Sequence, residues 1–125
     1  MKLTLGFSPC PNDTFMLAAL VHDLVSSREL EFDVRIADVE TLNEWALEGR
    51  LDVTKVSFHA YLKAMSEYAL LESGAALGFG CGPLVISKHP VVEQDIVNGP
   101  VAIPGSNTTA HMLFRLRYPQ AGRKL

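Results

Sequence analysis

Leu3, Leu5 and Phe7 alternate with Lys2 and Thr4 at the start of the chain, the period of two that marks a strand with one apolar face. The spacing predicts a strand over residues 2–7. Ser8-Pro9-Cys10-Pro11-Asn12-Asp13 then gathers turn formers, and Asn12 or Asp13 can cap a helix whose apolar stripe is Leu17, Leu20, Val21, Leu24 and Val25. The unit repeats. A second strand over residues 30–37 leads to Asp38 or Thr41 as cap of a short helix carrying Leu42, Trp45 and Ala46, which stops near Gly49. A third strand is expected over residues 52–56, with Ser57 capping a helix that lines up Phe58, Tyr61, Leu62 and Met65 on one face.

The rhythm then changes. Tyr68 to Leu71, Ala75 to Phe79 and Pro83 to Ser87 are short apolar runs punctuated by Gly74, Gly78, Gly80 and Gly82, which predicts strands and turns. After a charged stretch holding Val91, Val92 and Ile96, a strand over residues 100–103 turns through Pro104-Gly105-Ser106-Asn107 into a helix from Thr108 to about Arg117. Repeated strand-helix units point to an α/β fold with a largely parallel sheet covered by helices on both faces, and ligands of such sheets bind at the carboxyl ends of the strands. Tyr118 to Leu125 leave the last helix through Pro119 and Gly122, where another strand should begin. The expected division is residues 1–87 as most of a first lobe and 88–125 as the crossover and the beginning of a second, truncated one.

Composition narrows the function. With 48% hydrophobic residues in 125, the chain can bury a core. Eleven Lys+Arg against fourteen Asp+Glu give a net charge of -3, with the basic residues scattered, so the electrostatic footprint of a nucleic-acid binder is missing. The longest uncharged stretches, between Glu72 and Lys88 and between Asp95 and Arg115, are broken by Gly and Pro, which excludes a membrane-spanning helix. The apolar run after Lys2 is too short for a secretory signal, so a cytoplasmic location is expected. Cys10 and Cys81 stand far apart and read as free thiols.

Three strand-to-helix junctions, Ser8 to Asp13, Lys55 to Ser57 and Gly105 to Ala110, should crowd one edge of the sheet. Helix N-termini present unpaired N–H groups at the positive end of the dipole and so attract anions. With Asn107 as cap, the N–H groups of Thr109 and Ala110 and the hydroxyls of Thr108 and Thr109 would suit a small carboxylate, although an ordinary capped helix has the same sequence. Lys55 and Ser57 add a cation and a hydroxyl suited to an anionic or polyhydroxylated ligand, against the alternative of a solvated lysine. Cys10 lacks an identifiable histidine partner and reads as a small semi-buried residue. His22 and His111 read as packed or surface residues, His59 as facing water and His89 as a linker residue. No metal-site spacing occurs. The glycines of residues 78–82 run into a strand, not into the helix that a dinucleotide-binding loop needs.

Taken together, Phe7-Ser8-Pro9-Cys10-Pro11-Asn12-Asp13-Thr14-Phe15, Asp38-Val39-Glu40-Thr41-Leu42-Asn43, Thr54-Lys55-Val56-Ser57, Gly82-Pro83-Leu84-Val85 and Pro104-Gly105 followed by Thr108-Thr109-Ala110 resemble the 1,4-dihydroxy-6-naphthoate synthase family of the futalosine route to menaquinone. The resemblance covers all 125 residues and corresponds to the N-terminal half, or a little less, of a typical member. It implies a periplasmic-binding-protein-like (type II) two-lobed fold whose first lobe also receives C-terminal segments. It implies a lyase that releases 1,4-dihydroxy-6-naphthoate from cyclic dehypoxanthine futalosine without a cofactor or metal. By the same resemblance Lys55, Val56, Ser57, Thr109, Ala110 and Asn43 contact the substrate. The family's catalytic histidine lies beyond Leu125, so this chain holds no catalytic residue and is expected to be inactive alone.

Two alternatives stand beside this reading: a related chorismate dehydratase, against which the Ser8 to Phe15 motif argues, and a non-catalytic lobe binding small carboxylates. A secreted solute receptor would need a signal that is absent. The expected partner is a small-molecule substrate, with no nucleic acid and no membrane. Apolar surface left open by a partial lobe should produce a homo-oligomer or an exchange of elements between copies.

Overall fold

The computed structural model describes residues 1–27, 29–122 and 125. Three parallel strands, β1 (Lys2–Phe7), β2 (Glu31–Ile36) and β3 (Val53–Thr54), form a sheet in the order β2-β1-β3. β1 pairs with β2 from Lys2 opposite Glu31 to Phe7 opposite Ile36, and with β3 at Leu5 opposite Val53 and Gly6 opposite Thr54. As the central strand it is buried at Leu5, Gly6 and Phe7. Gly6 is there for space, since a Cβ would meet Leu51 Cδ1 at 2.6 Å, Thr54 Oγ1 at 2.9 Å and Leu42 Cδ2 at 3.0 Å.

The helix α1 (Pro11–Val21) starts two to three residues earlier than its expected caps, with Cys10 at the N-cap and Pro11 at the first helical position, which suits its fixed φ and missing N–H. Asn12 and Asp13 therefore lie inside the first turn. The helix stops at Val21 because Asp23 adopts φ 54°, and Leu24 N–H bonds Ala19 O at 2.8 Å while Asp23 N–H reaches Leu20 O at 3.4 Å, the paired bonds of a Schellman ending. Leu24 and Val25, expected on the stripe, are thus outside the helix and exposed.

In α2 (Val39–Leu47), Asp38 is the cap, its carboxylate accepting from Glu40 N at 3.0 Å and Thr41 N at 3.1 Å. Gly49, with φ +67°, ends it as the sequence predicts. Leu42, Asn43 and Ala46 are buried as α2 packs on β1 and on α3 (Phe58–Ala64). The buried face of α3 is the reverse of the expected one: Ala60 and Ala64 are inside, because small side chains let it approach α2 and a later helix, while Phe58, Leu62 and Met65 are exposed.

The three short strands expected between residues 68 and 87 do not form. An extended run becomes a strand only beside a ladder partner, none exists for it among the described residues, and residues 69–92 are exposed throughout. A six-residue helix, α4 (Glu93–Asn98), occupies the charged stretch that no periodicity had marked, and Asp95 there accepts from Val92 N at 3.0 Å. The strand expected over 100–103 is reduced to one hydrogen-bonded pair with the chain's last residue, Leu125 N–H to Val101 O at 3.0 Å and Ile103 N–H to Leu125 O at 3.1 Å. This is a parallel pattern. Between these two strand-like pieces runs α5 (Thr109–Arg117), which packs on α3.

Candidate functional site

The carboxyl ends of β1 and β3 open into a cavity of about 440 Å³, walled by Ser8 to Cys10 and Asp13, by Val39 and Leu42, and by Lys55 to Ser57. The edge of an open parallel sheet is where the sequence placed a ligand. Lys55 N–H bonds Gly6 O at 2.8 Å, continuing the β1–β3 pairing by one residue and fixing where the lysine leaves the sheet.

Asp13 is only 7% exposed. Its Oδ2 accepts from Ser8 N at 3.1 Å and from Ser8 Oγ at 2.7 Å, and its Oδ1 lies 3.5 Å from Lys55 Nζ. The ammonium also donates to Gly74 O at 3.2 Å. A carboxylate this deeply placed is tolerable because it is both hydrogen-bonded and ion-paired. Cys10 stands exposed at the rim.

Asn43, with 0% exposure, supports the neighbouring wall. Its Oδ1 accepts from Ser57 N at 2.9 Å, and its Nδ2 donates to Glu40 Oε2 at 3.1 Å and Ser57 Oγ at 3.3 Å. Ser57 therefore caps α3 with its backbone held by a neighbour, and its own hydroxyl proton remains available. From the other side Glu40 accepts from Ser106 Oγ at 3.0 Å, Asn107 N at 2.9 Å and Asn107 Nδ2 at 3.0 Å. Burial alone would raise the Glu40 pKa, but the donors from Asn107, Asn43 and Ser106 outweigh it and hold the carboxyl below its ordinary range. Gly105, at φ +144°, lies so close that a Cβ would collide with this carboxylate.

The cap of α5 is Thr108, not Asn107. Thr108 Oγ1 accepts from His111 N at 3.3 Å and donates to Gly105 O at 2.7 Å, while the Asn107 carboxamide is committed to Glu40 and to Lys63 Nζ at 2.7 Å. Thr109 and Ala110 are then the first two helical residues, whose N–H groups have no intrahelical acceptor. Thr109 Oγ1 accepts from His59 N at 3.2 Å, which ties this end of α5 to the first turn of α3.

Of the residues named from the sequence, Lys55, Val56 and Ser57 share the cavity, Asn43 lies beneath it, and Thr109 joins it through α3. Ala110 lines a separate, larger groove of about 940 Å³ between residues 83–87 and α5. His59 does not face water as expected, since its Nδ1 is buried without a partner. His111 is buried with Nδ1–H donating to Ser106 O at 3.0 Å. Asp13 and Glu40 carry no site signal in the sequence: Asp13 has the position of a helix cap, and nothing in the spacing of Glu40 announces partners 66 and 67 residues away. Among the described residues no group of three or more His, Cys, Asp or Glu could hold a metal, and no helix is long and apolar enough to cross a membrane.

Residues 3–124 match the family described as menaquinone biosynthesis. The chain is 52% identical over 114 residues to 1,4-dihydroxy-6-naphthoate synthase of Thermus thermophilus, covering 91% of this chain and 41% of that protein. It is 43% identical over 114 residues to the enzyme of the same name from Streptomyces coelicolor, covering 91% and 39%. The crystal structure of protein AF1704 from Archaeoglobus fulgidus superposes with a TM-score of 0.88 at 33% identity, over 99% of this chain and 46% of that one. The chain thus spans about two fifths of the length of the curated relatives it matches.

Proposed function

The chain belongs to the menaquinone-biosynthesis family, and we propose that it forms the substrate-binding part of a 1,4-dihydroxy-6-naphthoate synthase, a lyase acting on cyclic dehypoxanthine futalosine in the futalosine pathway. In this reading the fold is the first lobe, residues 1–87, and the start of the second, residues 88–125, of a type II periplasmic-binding-protein-like architecture in the cytoplasm. The base that abstracts a proton comes from sequence beyond residue 125, so the isolated chain binds without turning over.

One observation carries the reading. The Asn43–Ser57 and His59–Thr109 hydrogen bonds fasten the two proposed contact segments to the same first turn of α3. The reaction product is an aromatic carboxylate. Its charged group matches the free N–H donors of Thr109 and Ala110, and the Ser57 hydroxyl supplies a further donor for an oxygen on the ring system. Lys55 closes the far side of the cavity.

The test is calorimetric titration of 1,4-dihydroxy-6-naphthoate into the chain and its Thr109→Pro variant. Thr108 has φ -78° and ψ 148°, the extended conformation that a following proline requires, so the change removes the Thr109 N–H without breaking the helix, and Thr109→Val, which keeps that N–H and loses only the Oγ1 acceptor of His59 N, is the control. A lost charge-assisted hydrogen bond is worth about 1.5–3 kcal/mol, about 10- to 150-fold in affinity. Equal affinities would mean that this helix end is capped structure only.

A further inference from the structure

The cavity is walled by two charged side chains among the described residues, Lys55 and Asp13, and they face each other at 3.5 Å. Their charges, +1 and -1, sum to zero. The three helix starts that line the same cavity are also answered from within the chain. Asp13 lies in the first turn of α1, Asp38 and Glu40 stand at the start of α2, and the carboxamide oxygen of Asn43 occupies the Ser57 N–H at α3. Neither α3 nor α5 has an acid in its own first turn, and the segment just before the α5 cap is answered by Glu40, which accepts from Ser106 Oγ and Asn107 N.

We propose that Asp13 is a specificity-determining residue: paired with Lys55, it keeps this cavity electrically neutral, so that the cavity takes an uncharged, hydrogen-bond-accepting group on an apolar body. The inference rests on the proposed reading that Lys55 faces the ligand. The chemistry follows from what the ammonium has left to give. Gly74 O occupies one of its three N–H donors and Asp13 balances its charge from 3.5 Å, which leaves donor capacity for a hydroxyl or carbonyl oxygen. A carboxylate at that place would sit beside the buried Asp13, and the repulsion would offset what Lys55 contributes. Pro9, Val39, Leu42 and Val56 supply apolar walls for the body of the ligand.

The experiment compares 2-naphthoate with 2-naphthamide, which share an apolar frame and differ in charge, by calorimetry on the full chain and on Asp13→Asn and Lys55→Met. A unit charge about 6 Å away, at an effective dielectric between about 80 and about 40, is worth about 3- to 10-fold in affinity. Asp13→Asn should therefore move the acid-to-amide affinity ratio about 3- to 10-fold toward the acid, and Lys55→Met a similar amount toward the amide. Lys2→Met, which removes an exposed charge at the opposite, amino end of β1, should leave the ratio unchanged. A merely structural Asp13 would weaken both probes together, and an unaltered ratio in Asp13→Asn overturns the proposal. If that variant fails to fold, the Lys55→Met ratio decides alone, and an unaltered ratio overturns it equally. Lys55→Met that weakens both probes with no change of ratio refutes the neutrality argument while sparing the site. Lys55→Met with unchanged affinity for both, or no binding of either probe to the parent, removes Lys55 from the ligand and overturns the site reading with it.

Discussion

Glu40 ties α2 to the loop before α5 through one carboxylate, accepting from Asn43, Ser106 and Asn107. All its partners are donors, so an amide there would turn an N–H₂ group against some of them. Glu40→Gln should cost about 1–3 kcal/mol of stability, measured by urea unfolding at neutral pH. Acid should act the same way. Glu40, Asp38 and Asp52 all have folded-state pKa values below their ordinary 4.5, 3.8 and 3.8: for Glu40 the donors outweigh burial, for Asp38 the Thr41 hydroxyl acts first, and for Asp52 the Thr4 N–H does. The unfolded chain therefore takes up these protons first. Their contribution to stability is fully present above the ordinary values and is lost as pH falls through the lower folded ones. Unfolding midpoints should fall steeply below about pH 4.5, and the slope should flatten in Glu40→Gln. A parallel slope in the two proteins would contradict this role.

At the scale of elements, the close approach of β1 to α2 and β3 depends on Gly6. Gly6→Ala forces Leu51, Thr54 or Leu42 to move and should cost about 1–3 kcal/mol, read as a lower urea midpoint with unchanged slope. Local patterning made the parallel sheet and the helices α1, α2, α3 and α5 legible, because strand alternation, turn formers and the Asp38 and Gly49 boundaries are written within a few residues of where they act. What was not legible depends on partners distant in sequence. The inward face of α3 is chosen by how closely α2 and α5 can approach Ala60 and Ala64, and the runs over 68–87 stay unpaired for want of a neighbour. At the site, Lys55, Ser57 and Thr109 could be placed because they sit at strand-to-helix junctions. The Asp13–Lys55 and Glu40–Asn107 links could not, since they span 42 and 67 residues and obey no local period.

For the whole molecule, the apolar side chains left outside are the dominant feature. Phe58 and Leu62 on α3, Met65 at its C-terminal cap, and Leu77, Phe79, Leu84 and Ile86 beyond it are each more than half exposed. Such surface drives association, so the chain should sediment as a dimer or larger assembly at micromolar concentration. Replacing Leu84 and Ile86 by Ser should shift it toward monomer with little change in folding stability, and a strictly monomeric parent would contradict the expectation.

The most direct test of the account is turnover: cyclic dehypoxanthine futalosine is incubated with the chain, with a polypeptide carrying the part of the Thermus thermophilus relative beyond the matched segment, and with both, and 1,4-dihydroxy-6-naphthoate is quantified. Product from the mixture and from neither part alone is the predicted result. Product from the chain alone, or none from a mixture shown by sedimentation to have assembled, would contradict it.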